Sequence, residues 1–279
     1  MTDAQAMLSP TKGALDQGAA GPDAARPGDL PPPAPLTPEN CAVFLDFDGT
    51  LVEIAERPDA VEVAPGLAEL VMALSTRLEG RLAIVTGRSI AALQDLLGPV
   101  EIALAGSHGG EFRSGADCAV EPLAEPIPAE IISTLERFAA ANGGLLVEPK
   151  PYSVAVHYRH HPEALEALLT CAQGLASAHS LALKHGKQVI ELAMPGSDKG
   201  TAVVRFMSLP AFAGRTPLFL GDDVTDEDAF RAVRGLGGIG VLVGAMRPTA
   251  AAARLPDVTA VHAWLKAGLN PGLQGKTQS

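Results

Sequence analysis

Residues Val43 to Leu51 read Val-Phe-Leu-Asp-Phe-Asp-Gly-Thr-Leu, an apolar run of strand type that delivers Asp46 and Asp48 into a Gly-Thr turn. A continuous apolar strand needs cover on both faces, as in a parallel sheet flanked by helices. In such sheets ligands and reacting groups collect at the carboxyl ends of the strands. Two acids placed there repel each other while partly desolvated, and a magnesium ion or a covalent phosphoryl intermediate would relieve that cost. A lone Asp-Gly would read as an Asx-type turn after a core strand. An EF-hand loop shares the Asp-x-Asp spacing, but here the glycine is misplaced and no closing Glu follows, which excludes it.

From this strand onward, apolar runs alternate with amphipathic segments. Val43 to Asp46 is a predicted strand, followed by a helix that Pro65 opens and that reaches about Leu78. Leu82 to Thr86 is the next strand, and Ser89 is a suitable N-cap for a helix to Leu97. Ile102 to Ala105 is a third strand. Parallel βαβ units are the expected outcome. Between residues 115 and 193 the pattern changes to a helix over Ala129 to Ala141, strands at Leu145 to Glu148 and Ser153 to Tyr158, and a helix from Pro162 to about Ala178. Two further strands follow, Leu181 to Lys184 and Gln188 to Leu192, joined at His185-Gly186. Alternation of this kind predicts antiparallel pairing with one exposed face. The parallel pattern returns with a helix after Asp198, strands at Pro217 to Leu220 and Ile239 to Val243, and a helix from about Asp226 between them.

The fold class expected is α/β, a doubly wound parallel-sheet (Rossmann-like) core with an inserted α/β cap domain containing an antiparallel sheet. The core occupies 39–114 and 194–270 and the cap 115–193, with a disordered Pro/Ala-rich extension over 1–38, apart from a possible short helix near residues 3 to 8, and a flexible tail over 271–279. Hydrophobic residues make up 47% of the 279, enough for a sizeable core, and the net charge of −11 without a Lys/Arg cluster argues against nucleic acid. No apolar run has membrane-spanning length. Cys41, Cys118 and Cys171 lack metal-type spacing and read as free thiols. With no signal-peptide pattern at the start, a cytoplasmic protein is expected.

A second acidic group, Gly221-Asp222-Asp223-Val224-Thr225-Asp226-Glu227-Asp228, follows the strand ending at Leu220. Acids at a helix N-terminus complement the macrodipole, which accounts for Asp226, Glu227 and Asp228. Asp222 and Asp223 precede the helix and suit a metal. Lys199 opposes the dipole of its own helix start, which an anion nearby would offset. Thr86 is a strand-end hydroxyl. Combined, these residues suit phosphate-ester hydrolysis. Asp46 is the nucleophile and Asp48 the acid and base. Mg²⁺ would be held by Asp46, the Asp48 backbone carbonyl and Asp222. Thr86 and Lys199 bind the phosphoryl oxygens, while Asp223 and Asp226 orient Lys199 or the metal's water ligands.

Asp-Phe-Asp-Gly-Thr-Leu, Thr86, Asp198-Lys199-Gly200 and the Gly221–Asp228 run together resemble the four ordered motifs of haloacid dehalogenase-like phosphatases. A finer resemblance is to the trehalose-6-phosphate phosphatase family. It rests on Val85-Thr86-Gly87-Arg88, Gly106-Ser107-His108-Gly109-Gly110-Glu111, Glu148-Pro149-Lys150, Val156-His157-Tyr158-Arg159 and Gly186-Lys187-Gln188-Val189-Ile190-Glu191-Leu192. The similarity runs from about Asn40 to Leu265 and includes the cap. It implies that the substrate is a small sugar phosphate and that Glu148, Lys150 and Glu191 bind glucose hydroxyls, with Arg88 and His108 at the substrate. Glu148 and Lys150 also read as exposed strand charges, and His108 as a structural histidine in a tight turn. Neither a nucleic-acid nor a membrane partner is expected, and the sequence is compatible with a monomer. A phosphatase for another sugar ester, such as sucrose or glucosylglycerol phosphate, shares the same chemistry. A non-catalytic phospho-receiver module also combines strand-end acids, a hydroxyl and a lysine.

Overall fold

A computed structural model of the chain describes residues 30–55, 57, 60–186, 188–195 and 198–269. Strand β1 (Cys41–Leu45) is buried along its whole length, and its alternate residues feed two different cores. Cys41, Val43 and Leu45 enter one, Ala42 and Phe44 the other. In chain order α1 (Leu67–Arg77), β2 (Leu82–Val85), α2 (Ile90–Leu97) and β3 (Ala103–Gly106) follow, before β4 (Glu111–Arg113) and β5 (Glu121–Pro122). Next come α3 (Ala129–Ala141), β6 (Leu146–Pro149), β7 (Ser153–His157), α4 (Leu165–His179), β8 (Ala182–Gly186) and β9 (Val189–Ala193). The chain then adds α5 (Lys199–Met207), β10 (Thr216–Gly221), α6 (Glu227–Gly235), β11 (Ile239–Val243), β12 (Ala253–Leu255) and α7 (Val258–Leu269).

The large sheet has the order β12-β11-β10-β1-β2-β3-β4-β5, parallel from β12 through β3 and antiparallel beyond. Apolar residues of α1, α2 and α7 cover one face, and those of α5 and α6 the other. The chain winds outward from β1 in one direction and from β10 in the other, so the topological switch lies between these two strands. The crevice outside their carboxyl ends is where such a fold binds ligands. Asp46 and Asp222 follow those two ends.

The smaller sheet, β6-β7-β9-β8, is antiparallel throughout. Val154, Val156, Ile190 and Leu192 point to a core shared with Ile131 and Leu135 of α3 and Leu168 of α4. The period of two turns the intervening residues to the opposite face. Register then places Glu148, Ala155, Glu191 and Lys184 in one row across the four strands.

The doubly wound core and the inserted antiparallel unit agree with expectation, while several details differ. Pro65 does not open α1. It precedes Gly66 (φ 81°, ψ 4°) in a turn closed by a 3.2 Å bond from Leu67 N to Ala64 O, a type II turn in which Gly supplies the positive φ. Residues 30–38 are not a free extension. Pro31 O accepts from Arg254 N (2.9 Å), Ala34 O accepts from Trp264 Nε1 (3.0 Å), and Leu36 is buried in the core. Residues 1–29, including the possible short helix, and the tail from 270 lie outside the described residues. Glu121–Pro122, beyond the expected cap boundary at 115, still pair with β4 in the large sheet. His185 and Gly186 do not form the cap hairpin's joint but pair within β8, opposite Ile190 and Val189. Among the described residues no helix is long and apolar enough to cross a membrane.

Phe206 of α5 is fully buried, with its ring 4.3 Å from that of Phe112, 5.5 Å from Phe212 and 5.8 Å from Phe44. Because α5 begins at Lys199, this cluster anchors the helix that carries the lysine. Phe206→Ala is expected to lower unfolding free energy in urea by about 3–5 kcal/mol. A loss below about 1 kcal/mol would contradict the packing described.

Candidate active site

Asp46 sits just past the end of β1, its N–H donating to Leu220 O at 2.9 Å, and only 4% of it is exposed. Lys199, the first residue of α5, places Nζ 2.7 Å from Asp46 Oδ1 and 2.6 Å from Asp226 Oδ1. Asp198 caps the helix by accepting from Thr201 N (2.7 Å), which fixes where Lys199 emerges. Burial would lower the lysine's pKa, but the Asp226 and Asp46 carboxylates override it and raise it, so the ammonium stays charged. Burial, then the Asp226 charge, raises Asp46 well above the usual carboxylate range, against the pull of Lys199, and Asp222 raises it further.

Gly49 has φ 80°, and a Cβ there would lie 2.4 Å from the Asp222 carboxyl carbon. The turn after β1 therefore tolerates no side chain at this position, and the absence of one lets Asp222 approach. Carboxylate oxygens of Asp46, Asp222 and Asp226 all lie within 4.8 Å of one another. Three buried oxygen donors of this kind fit a hard divalent cation. Asp226 is otherwise occupied: Oδ1 holds Lys199 and Oδ2 accepts from Asp223 N at 2.9 Å. The sequence assigns Asp223 and Asp226 to orient Lys199 or the metal's water ligands. Here Asp223 caps the following turn, its Oδ1 accepting from Val224 N (2.8 Å), and it reaches the lysine through Asp226.

Asp48 lies two residues on, with its carboxylate in the fork of Arg88: Nε donates to Oδ2 at 2.7 Å and Nη2 to Oδ1 at 2.6 Å. The carboxylate trio thus includes Asp226 rather than Asp48, whose backbone carbonyl is the ligand expected from sequence. Thr86 is buried at the end of β2, its Oγ1 accepting from Arg88 N (3.1 Å) and its carbonyl from His108 N (2.9 Å). His108 follows β3 in a left-handed conformation (φ 57°), and its ring packs where Gly87 leaves room.

His108 joins core to cap. Its Nε2 lies 3.1 Å from Glu191 Oε2. Burial lowers the histidine's pKa even against Glu191, so the ring is neutral and donates from Nε2, leaving the buried Nδ1 without a protein partner. Glu191 Oε1 accepts from Ser153 Oγ at 2.6 Å and lies 3.5 Å from Lys150 Nζ. Burial would raise the Glu191 pKa, but Lys150, His108 and Ser153 hold it well below the carboxylate range. Glu148 Oε2 lies 2.8 Å from His157 Nε2.

A cleft of about 260 Å³ opens between the two units, lined on the core side by Asp46, Asp48, Arg88, His108, Lys199 and Asp222. On the cap side Glu148, Lys150, Glu191 and Lys184 face it. The arrangement pairs buried acids, which suit charge transfer, with a ceiling of groups able to bond hydroxyls. Lys184 escaped the sequence reading, because only the register of β8 against β9 shows that it shares a row with Glu191. Ser153 escaped it as well. The alternation of β7 put Ser153 on the cleft side, and that was the available signal.

The trehalose-phosphatase family model matches residues 44–259 of the chain. The chain is 38% identical over 252 residues to the trehalose-6-phosphate phosphatase of Escherichia coli (strain K12), covering 88% of this chain and 94% of that protein. It is 41% identical over 218 residues to a probable trehalose-phosphate phosphatase of Sinorhizobium fredii, covering 77% and 82%. Among solved structures, the C-terminal domain of C. albicans trehalose-6-phosphate phosphatase superposes with a TM-score of 0.73 at 22% identity, covering 86% of this chain and 98% of that one. That last likeness is one of fold.

Glu191 binds its proton less readily folded than unfolded. Its contribution to stability is therefore complete above the unfolded value near 4.5 and is lost as pH falls through the depressed folded value. Glu191→Gln is expected to lose about 2 kcal/mol at pH 7, a gap that narrows below pH 4.5 in urea titrations. A gap that stays constant from pH 7 to pH 3 would contradict the ionised, paired state described.

Proposed function

The chain belongs to the trehalose-phosphatase family, and we propose that it hydrolyses trehalose 6-phosphate to trehalose and inorganic phosphate. One observation carries the reading. The same cleft has Asp46, Lys199 and Asp222 at its floor and Glu148, Lys150 and Glu191 as its ceiling. A phosphate ester of a sugar needs both.

Lys199 engages Asp46 Oδ1, so Oδ2 is assigned the attack on phosphorus. The new O–P bond forms as the bond to the sugar oxygen breaks, leaving an aspartyl phosphate on Asp46 and a sugar alkoxide. Asp48 gives that alkoxide its proton, then accepts one from the water that cleaves the aspartyl phosphate, which restores both acids. Arg88 Nε and Nη2 engage both oxygens of Asp48, and the anionic ester is proposed to take over the guanidinium as it binds. Lys199 and Thr86 position the phosphoryl oxygens. Asp46 and Asp222 are the carboxylates assigned to a divalent cation, proposed to be Mg²⁺, which when bound neutralises phosphate charge. Glu148, Lys150 and Glu191 bridge vicinal hydroxyls by charge-assisted hydrogen bonds. A cytoplasmic setting is proposed, in keeping with Cys41, Cys118 and Cys171 all being free thiols.

Asp46→Asn is expected to lower phosphate release from trehalose 6-phosphate by on the order of 10³ or more, with circular dichroism unchanged. Retention of a tenth of the activity would remove Asp46 as nucleophile. Glu191→Ala is expected to raise KM for the sugar ester roughly tenfold or more, while KM for an aryl phosphate moves by less than about threefold. Equal shifts for both substrates would remove the sugar-binding assignment.

A further inference from the structure

Behind the acidic turn lies a network that the reaction scheme above does not use. Arg247, in the loop after β11, donates from Nη2 to Asp223 O at 2.6 Å and approaches Asp222 O with Nε at 3.4 Å. Its Nη1 donates to Pro248 O (3.1 Å) and to Glu227 Oε1. Glu227 is the first residue of α6, directly after the acidic turn, and its side chain is 12% exposed. It gathers two more donors from the Arg247 loop: Thr249 Oγ1 to Oε1 at 2.8 Å and Ala250 N to Oε2 at 2.7 Å. One loop therefore clasps the acidic turn at both ends, by the carbonyls of Asp222 and Asp223 and by the carboxylate of Glu227.

We propose that Arg247, with Glu227 and Thr249, is a positioning device that holds the Asp222 carboxylate at the metal site. The inference rests on the metal-dependent phosphatase reading above. Asp222 is already packed against the backbone of Gly49, where a Cβ would lie 2.4 Å away, so it cannot shift toward β1. The Arg247 clasp holds the backbone of the same turn through the Asp222 and Asp223 carbonyls. A guanidinium suits this task because its planar fork serves several acceptors at once, which an ammonium cannot do. The clasp also offsets charge, placing a cation beside a turn that carries Asp222, Asp223, Asp226 and Glu227. Groups that orient metal ligands from behind characteristically change affinity about 10–100-fold when removed.

The test is Mg²⁺ binding by isothermal titration calorimetry on the full chain, wild type beside Arg247→Gln and Arg247→Lys, with kcat and KM measured at saturating Mg²⁺. Arg247→Gln is expected to weaken Mg²⁺ binding roughly 10–100-fold, with KM for the sugar ester changed by less than about threefold. Arg247→Lys, which keeps the charge and guards against a folding failure of the first variant, is expected to show an intermediate loss. Mg²⁺ affinity within twofold of wild type in either folded variant overturns the clasp and leaves the phosphatase reading standing. So does a rise in KM that matches the loss of Mg²⁺ affinity. A wild-type chain that neither binds Mg²⁺ nor releases phosphate overturns both.

Discussion

The ammonium of Lys199 between Asp46 and Asp226 is the contact on which the site depends. Three buried carboxylates at the ends of two adjacent strands would not tolerate one another without a cation, and isolated buried charges are strongly disfavoured. Lys199 supplies that charge, because the Asp226 and Asp46 carboxylates raise its pKa against the effect of burial. The arrangement spans three segments: the turn after β1, the start of α5 and the turn after β10. The two turns arrive there because parallel strands deliver their carboxyl ends to one edge, and α5 begins beside them where the chain leaves the cap sheet. The phenylalanine cluster under α5 and the bare Gly49 backbone serve the same point, one by fixing the lysine and the other by admitting Asp222.

The cap supplies the second half of the cleft by a different logic. An antiparallel sheet with helices on one face leaves every second residue on the other, and those residues look down on the acids. Ala155, with its small side chain, separates Glu148 from Glu191 in the row that also holds Lys184. The His108–Glu191 bond ties this ceiling to the core turn that follows β3. Core and cap are thereby joined across the cleft by a neutral histidine and an ionised carboxylate.

Much of this was legible because the chemistry sits where periodicity ends. Asp46, Asp48 and Asp222 stand directly after apolar strands, and Asp198 announces α5 as a helix cap. The parallel core and the antiparallel insert followed from continuous as against alternating apolar patterns. What escaped detection depends on pairing between distant segments. β5 and β12 are too short to show a period. Residues 30–38 lack any period of their own, and lie along the core by lending carbonyls to Arg254 and Trp264. Pro65 fits a helix start and a type II turn equally well until the φ of Gly66 decides. Lys184 needed the strand register. Arg247 needed the loop to fold back 25 residues onto Asp222, for which no local pattern exists.

In the function proposed, the floor of the cleft serves phosphoryl transfer and the ceiling serves the choice of sugar. Phosphate release from the wild-type chain across a panel of esters tests their union most directly, with trehalose 6-phosphate set beside sucrose 6-phosphate, glucosylglycerol phosphate and an aryl phosphate. The expected result is a kcat/KM for trehalose 6-phosphate at least about 100-fold above each of the others, the discrimination given by buried polar groups left unpaired with a wrong partner. Equal kcat/KM across the panel, or a preference for another sugar ester, would contradict the account.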